Sequence, residues 1–303
     1  MIEKILNYIY DKSPTQRKKL PKVLSENPEI SKELDLFLSN YSIFMDKSNI
    51  SYKDICDAYE LLNIQMTYSR LHFLETGDYP AHEYRDEIFS NIYNNENTMS
   101  NYMLGVALSQ FLWKHHFMIY QFYKKTVNKL RDKKNFLEIG PGHGLFLLEL
   151  IKSIKHKEAT FDCIDLSKIS LNISKELIGA IKPEILPQIR FIQGDINLFN
   201  ENITYDFITM GEVLEHVDNP LKILRNINRI LDKDGSFFMS TCVDCPAIDH
   251  IYHFKNISEI EELISKAGFK IKDKIIAYSE EMGTQMQKTY KPDISYASIL
   301  MKK

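Results

Sequence analysis

The rhythm of apolar positions changes near residue 130. Before that point apolar residues recur at helical spacing and no run alternates as a strand would. Ser13-Pro14, Ser51-x-x-Asp54 and Asn97-Thr98 read as N-caps ahead of such runs, so residues 1–130 are predicted to be all-helical. The last predicted helix, Met99 to Leu130, carries Tyr102, Phe111, Trp113, Phe117, Tyr120 and Tyr123, an aromatic density that suits a buried face or a pocket wall. After the polar junction Arg131-Asp132-Lys133-Lys134, short apolar runs alternate with helical stretches. That alternation predicts an α/β region over residues 131–303, with a mostly parallel sheet covered by helices on both faces.

The strand ends hold the chemistry. Phe136-Leu137-Glu138-Ile139-Gly140-Pro141-Gly142-His143-Gly144 reads as strand, glycine turn and helix start, with Leu145-Phe146-Leu147 opening the helix. Glycines there admit positive φ and let backbone amides approach a ligand at the helix N-terminus. The dinucleotide pattern Gly-x-Gly-x-x-Gly fails at Leu145, and the Lys-Ser/Thr of a phosphate-binding loop is missing after Gly144. A ligand with a ribose and no phosphate fits better. Phe161-Asp162-Cys163-Ile164-Asp165 ends in an acid about 20 residues past the glycines, where a carboxylate can take ribose hydroxyls. Arg190 to Ile196 and Tyr205 to Glu212 repeat the pattern.

Four such segments in order resemble the class I S-adenosylmethionine-dependent methyltransferase family, over roughly Asn135 to Lys303. The resemblance implies a Rossmann-like, seven-stranded, mostly parallel sheet and S-adenosylmethionine as donor, with S-adenosylhomocysteine as product. It implies that Glu138, Gly140 and Gly142 line the methionine and ribose portion, that Asp165 and Leu166 flank the ribose, and that Asp195 and Ile196 hold the adenine. Gly211 and Glu212, after the fourth strand, approach the donor or acceptor. His216, in Glu-Val-Leu-Glu-His, resembles the base of small-molecule O-methyltransferases that act on phenols, and an imidazole titrates near neutrality. His143 reads as a polar residue on the backbone side of the loop.

The loop after the fifth strand, Cys242 to Phe254, concentrates thiols, imidazoles and a carboxylate. His250 and His253 are expected to contact the acceptor and join His216 as catalytic candidates, with Asp249, Tyr102 and His116 as acceptor-binding residues. Two metal readings compete with plain acceptor contact and are not favoured: zinc on Cys242, Cys245, His250 and His253, or a catalytic divalent ion on Asp249, His250 and His253. No metal ligand is assigned. His72 and His82 read as ordinary surface or core residues.

Composition narrows the partners. The 303-residue chain is 44% hydrophobic, enough for one sizeable domain and a smaller one. A net charge of −3 argues against a large nucleic-acid footprint. Met1 to Leu6 has an early acid and no apolar stretch fit for a signal peptide or membrane span, so a cytoplasmic location is expected. The four cysteines are expected to be reduced.

The expected activity is methylation of a small molecule, a hydroxylated aromatic or a keto acid, on oxygen or carbon, in specialised metabolism. The helical region would serve as lid and as a homodimer surface. A cyclase or lyase using the same donor and a non-catalytic binding module are the alternatives. Macromolecular methylation is disfavoured, because Met-Gly-Glu-Val stands where amine-directed enzymes carry Asn-Pro-Pro-Tyr.

Overall fold

A computed structural model of the chain describes residues 1–83, 85–199, 203–279 and 292–303. The N-terminal helices are α1 (Ile2–Lys12), α2 (Pro14–Glu26), α3 (Pro28–Lys47), α4 (Tyr52–Thr76), α5 (Glu96–Leu112) and α6 (Lys114–Val127). Ser13 caps α2, and Ser51 with Asp54 forms a reciprocal capping box on α4. The single helix expected from Met99 to Leu130 is instead α5 and α6, parted where Trp113 adopts extended backbone (φ −100°, ψ 116°). Apolar residues continue through this corner, so periodicity alone could not reveal it. The cap of α5 is Asn95, slightly upstream of the expected Asn97.

The rest alternates: β1 (Asn135–Ile139), α7 (Leu145–Ser153), β2 (Thr160–Asp165), α8 (Lys168–Ile181), β3 (Ile189–Gln193), β4 (Tyr205–Gly211), α9 (Pro220–Ile230), β5 (Leu231–Val243), α10 (Ile257–Lys266), β6 (Phe269–Tyr278) and β7 (Ile294–Lys302). Among the described residues the sheet has seven strands in the order β3-β2-β1-β4-β5-β7-β6. The first five named run parallel, and β7 is antiparallel to both β5 and β6. The sequence reads Asp234-Gly235 as opening the fifth strand at Ser236, but β5 begins at Leu231, because Asp232 to Gly235 bulges out of register with β4. The polar stretch Ser279 to Asp293, which the sequence reads as a loop, lies mostly outside the described residues.

Neighbouring strand residues feed opposite faces of the sheet. Phe136, Phe207, Phe238 and Ile299 pack in one core with α7, α8 and the N-terminal helices. Leu137, Ile208, Phe237 and Leu300 pack in a second core with α9 and α10. Both faces are therefore buried, and the carboxyl edge of the parallel strands is left as the place where polar groups gather.

Candidate active site at the carboxyl edge

Register places the motif ends side by side. Ile139 pairs with Ile164 and with Met210, Asp165 with Gln193, and Gly211 with Ser240. Asp165 and Asp195 thus share one edge with the glycine loop. Gly140, Gly142 and Gly144 take φ of +67°, +52° and +76°, the left-handed region in which a side chain is strained. A Cβ on Gly140 would also stand 2.8 Å from a Val213 methyl. The loop is pinned on both sides: Gly140 N–H donates to the Ile164 carbonyl (2.9 Å), and Ser174 Oγ donates to the Gly142 carbonyl (3.0 Å). His143 turns inward and its Nδ1 accepts from Leu145 N–H (3.1 Å). Burial pushes its pKa down to about 4, so it is a neutral cap for α7.

The donor half of the edge has acceptors to spare. Asp165 takes the Ser167 amide (2.8 Å) on one oxygen and the Ser170 hydroxyl (2.7 Å) on the other, each oxygen keeping a further lone pair. Glu138 is buried, its Oε2 has no partner, and burial raises its pKa well above the carboxylate range. Asp195 accepts from the Asn197 amide (2.8 Å), and beside it Asn197 Oδ1 is buried without a partner. Exposed Leu166 and Leu198 supply apolar surface near these acids. Orphaned acceptors, a loop with no room for Cβ and two acids on one edge together fit an adenosyl ligand. Asn197 escaped the sequence reading, since an Asn one position past Ile196 carries no pattern of its own.

The acceptor half is assembled from distant segments. His216 Nδ1 lies 3.1 Å from the Asp249 carbonyl, 3.4 Å from its carboxylate and 3.0 Å from the Tyr93 hydroxyl. Asp249 is fully buried and accepts from the hydroxyls of Tyr93 (3.1 Å) and Tyr102 (3.4 Å). The His250 ring stands edge-on to His216, with centroids 4.8 Å apart. Glu215 accepts from Thr241 Oγ1 (2.7 Å) on Oε2, while its buried Oε1 has no partner. Burial and the Glu215 charge raise the pKa of Glu212 well above its usual range. Cys245 is lowered to about 5, chiefly by the hydrogen bond from Cys242 and also by His250, against the effect of burial. Burial would lower His250, but hydrogen bonding and charge from Cys245 prevail and raise it to about 10. Glu212 and Asp244 hold φ of +50° and +51° without being glycine, strain of a kind that gathers at working sites.

Two expected residues make their contacts elsewhere. His253 Nε2 pairs with Asp244 (2.7 Å), and its ring packs on Tyr79 and Phe73. His116 is bonded to Ser109 (3.1 Å) and packs on Trp113 at the α5–α6 corner, and burial takes its pKa down to about 3. Tyr93 and Glu215 were missed: Tyr93 lies outside the motif-bearing span, and Glu215 reads as an ordinary polar helix residue until its burial is seen.

Similarity to known proteins agrees with this geometry. A family described as "Methyltransferase domain" matches residues 113–274, more than half of the chain. A malonyl-[acyl-carrier protein] O-methyltransferase of Ilyobacter polytropus is 25% identical over 115 residues, 38% of this chain and 40% of that protein. A ubiquinone biosynthesis O-methyltransferase of Histophilus somni is 30% identical over 125 residues, 40% of this chain and 50% of that protein. The chain thus spans half or less of the length of these curated relatives. Among solved structures, the mitomycin 7-O-methyltransferase MmcR aligns with a TM-score of 0.56 at 11% identity, covering 79% of this chain and 68% of that one, a likeness of fold. With the glycine loop, the paired edge acids and more than half its length matched to that domain, the chain belongs to the class I S-adenosylmethionine-dependent methyltransferase family.

Proposed function

We propose that this protein methylates a hydroxyl oxygen of a small molecule, with His216 as the base. The observation that carries the reading is the tether on His216: Nδ1–H donates to Asp249, so Nε2 keeps its lone pair for the acceptor's proton. Bound S-adenosylmethionine would supply a methyl group on a positively charged sulfur, ready for in-line displacement. Asp165 would accept from the ribose hydroxyls, Glu138 would line the methionine portion, and Asp195 with Asn197 would face the adenine. Met103 of α5 approaches the loop, its sulfur 3.3 Å from where a Gly142 Cβ would stand, and would cover part of the donor. His216 accepts the hydroxyl proton as the oxygen attacks, and the buried Asp249 carboxylate stabilises the imidazolium that forms. His250 and Tyr102 shape the acceptor side.

The test is turnover of methyl-labelled S-adenosylmethionine with a panel of phenols and acidic enols, with S-adenosylhomocysteine read by mass spectrometry. His216→Asn is expected to lose roughly 10²–10⁴-fold in rate. Methylthioadenosine as product, or full activity in that variant, overturns the reading.

The same proposal includes a second copy of the chain. Leu61, Ile64, Tyr68, Leu71 and Leu74 lie exposed along α4 at spacings of three and four, a seam that a coiled-coil-like partner covers. Light scattering is expected to report a dimer that Ile64→Glu converts to a monomer; a monomeric wild type contradicts it. Among the described residues no helix is long and apolar enough to cross a membrane.

A further inference from the structure

The buried cluster beyond β5 contains more ligating groups than proton transfer from an acceptor employs. Cys242, Cys245 and His250 present ligand atoms that all lie within 4.8 Å of one another, and Cys242 Sγ is 3.8 Å from His250 Nδ1. Glu215 offers a carboxylate oxygen within the same limit of Cys242 in one grouping and of His250 in another. Its Oε1 is buried with no hydrogen-bond partner, a costly state for a carboxylate unless a cation meets it.

We propose that Cys242, Cys245 and His250, completed by Glu215, bind a zinc ion. Two thiolates, an imidazole and a carboxylate form a donor set suited to a borderline-soft divalent ion and not to magnesium or calcium, which take oxygen shells. With Zn–S of about 2.3 Å and Zn–N of about 2.0 Å, tetrahedral ligands stand roughly 3.3–3.8 Å apart, and His250 would ligate through Nε2, because its Nδ1 donates to the Cys245 carbonyl. The surroundings fix the ligands as metal sites require. The Cys245 carbonyl accepts from His250 Nδ1 (2.6 Å), Thr241 Oγ1 holds the other oxygen of Glu215, and the amides of Ile251 and Tyr252 bond the Glu215 carbonyl (2.7 and 2.8 Å). His253 is not a ligand, because its Nε2 is taken by Asp244.

The consequence for the site is positional. Asp249 directly precedes His250, so an ion that fixes His250 to the end of β5 fixes the carboxylate that orients His216. The binding itself does not depend on methyl transfer.

The experiment measures metal in the full-length protein, purified without chelator and dialysed against metal-free buffer, by inductively coupled plasma mass spectrometry. Cobalt(II) is then added to protein stripped of metal. The expected result is one zinc per chain and a near-ultraviolet thiolate-to-cobalt charge-transfer band that zinc abolishes. Cys245→Ser is expected to weaken that band, and Glu215→Gln to keep it with affinity lowered roughly 10–100-fold. Only background metal in the wild type, absence of the band, or a Cys242–Cys245 disulfide two mass units lighter in the purified protein overturns the proposal. Unchanged affinity in Glu215→Gln removes Glu215 from the ligand set. The wild-type measurement decides the main question even if a variant fails to fold.

Discussion

Between β1 and β3 the carboxyl edge is held mostly by near neighbours in sequence: His143 caps Leu145, Asp165 takes Ser167 and Ser170, and Asp195 takes Asn197. Beyond β4 the contacts join residues far apart in the chain. Tyr93 lies 123 positions from His216 and 156 from Asp249, and Tyr102 lies 147 from Asp249. The donor half is therefore a property of strand–loop–helix units that can form locally. The acceptor half exists only once the helical region has docked on the sheet and brought Tyr93 and Tyr102 to Asp249. On the proposed reading the contrast separates two jobs: one end would provide shape and ribose acceptors, and the other an oriented base in a low-dielectric setting.

The comparison can be broken by variants that should affect one half alone. The largest effect is expected for Asp249→Asn, which keeps the main-chain carbonyl beside His216 Nδ1 but removes the carboxylate charge 3.4 Å away that would stabilise the imidazolium. Methyl-transfer rate should fall roughly 10²–10⁴-fold with donor affinity unchanged, by analogy of role with other carboxylate–histidine pairs. A parallel loss of donor binding would show that the halves are not separable. The smallest effect is expected away from both halves. Asp206 accepts from the amides of Lys134 (2.9 Å) and Asn135 (3.0 Å). Burial opposes ionisation there, but these amides and Lys133 prevail and hold its pKa below the usual value. A depressed folded-state pKa contributes stability that is fully present above about pH 4 and is lost as pH falls through the folded value. Asp206→Asn should cost under about 1 kcal/mol at neutral pH, discounted for exposure, with the gap narrowing in thermal melts as pH falls below about 4. Equal destabilisation at both pH values would contradict that account.

The same division explains what the sequence made legible. The glycine loop, Asp165 and Asp195 were readable because strand, turn and acid fall within a few residues of each other. The sequence reads Gly268 as the end of a helix and Phe269 to Tyr278 as a strand, and β6 has those bounds, with Gly268 at φ +87°. The break at Trp113 and the bulge from Asp232 to Gly235 were hidden, since one leaves apolar periodicity intact and the other looks like an ordinary turn before a strand. At the site, His216, Asp249, His250 and Tyr102 were named as candidates, but the pairing of His216 with Asp249 and the roles of Tyr93 and Glu215 depend on tertiary packing. His253 and His116 share their neighbours' residue type, but packing engages them with other groups.

The central claim is that the acids on the shared edge receive an adenosyl donor. Calorimetric titration of S-adenosylhomocysteine into the wild type and Asp165→Ala tests it most directly. The account predicts stoichiometric binding by the wild type and at least about a hundredfold weaker binding by the variant, since two hydrogen bonds to a charged acceptor are lost at about 1.5–3 kcal/mol each. Equal affinity in the two proteins, or no binding by a folded wild type, would contradict it.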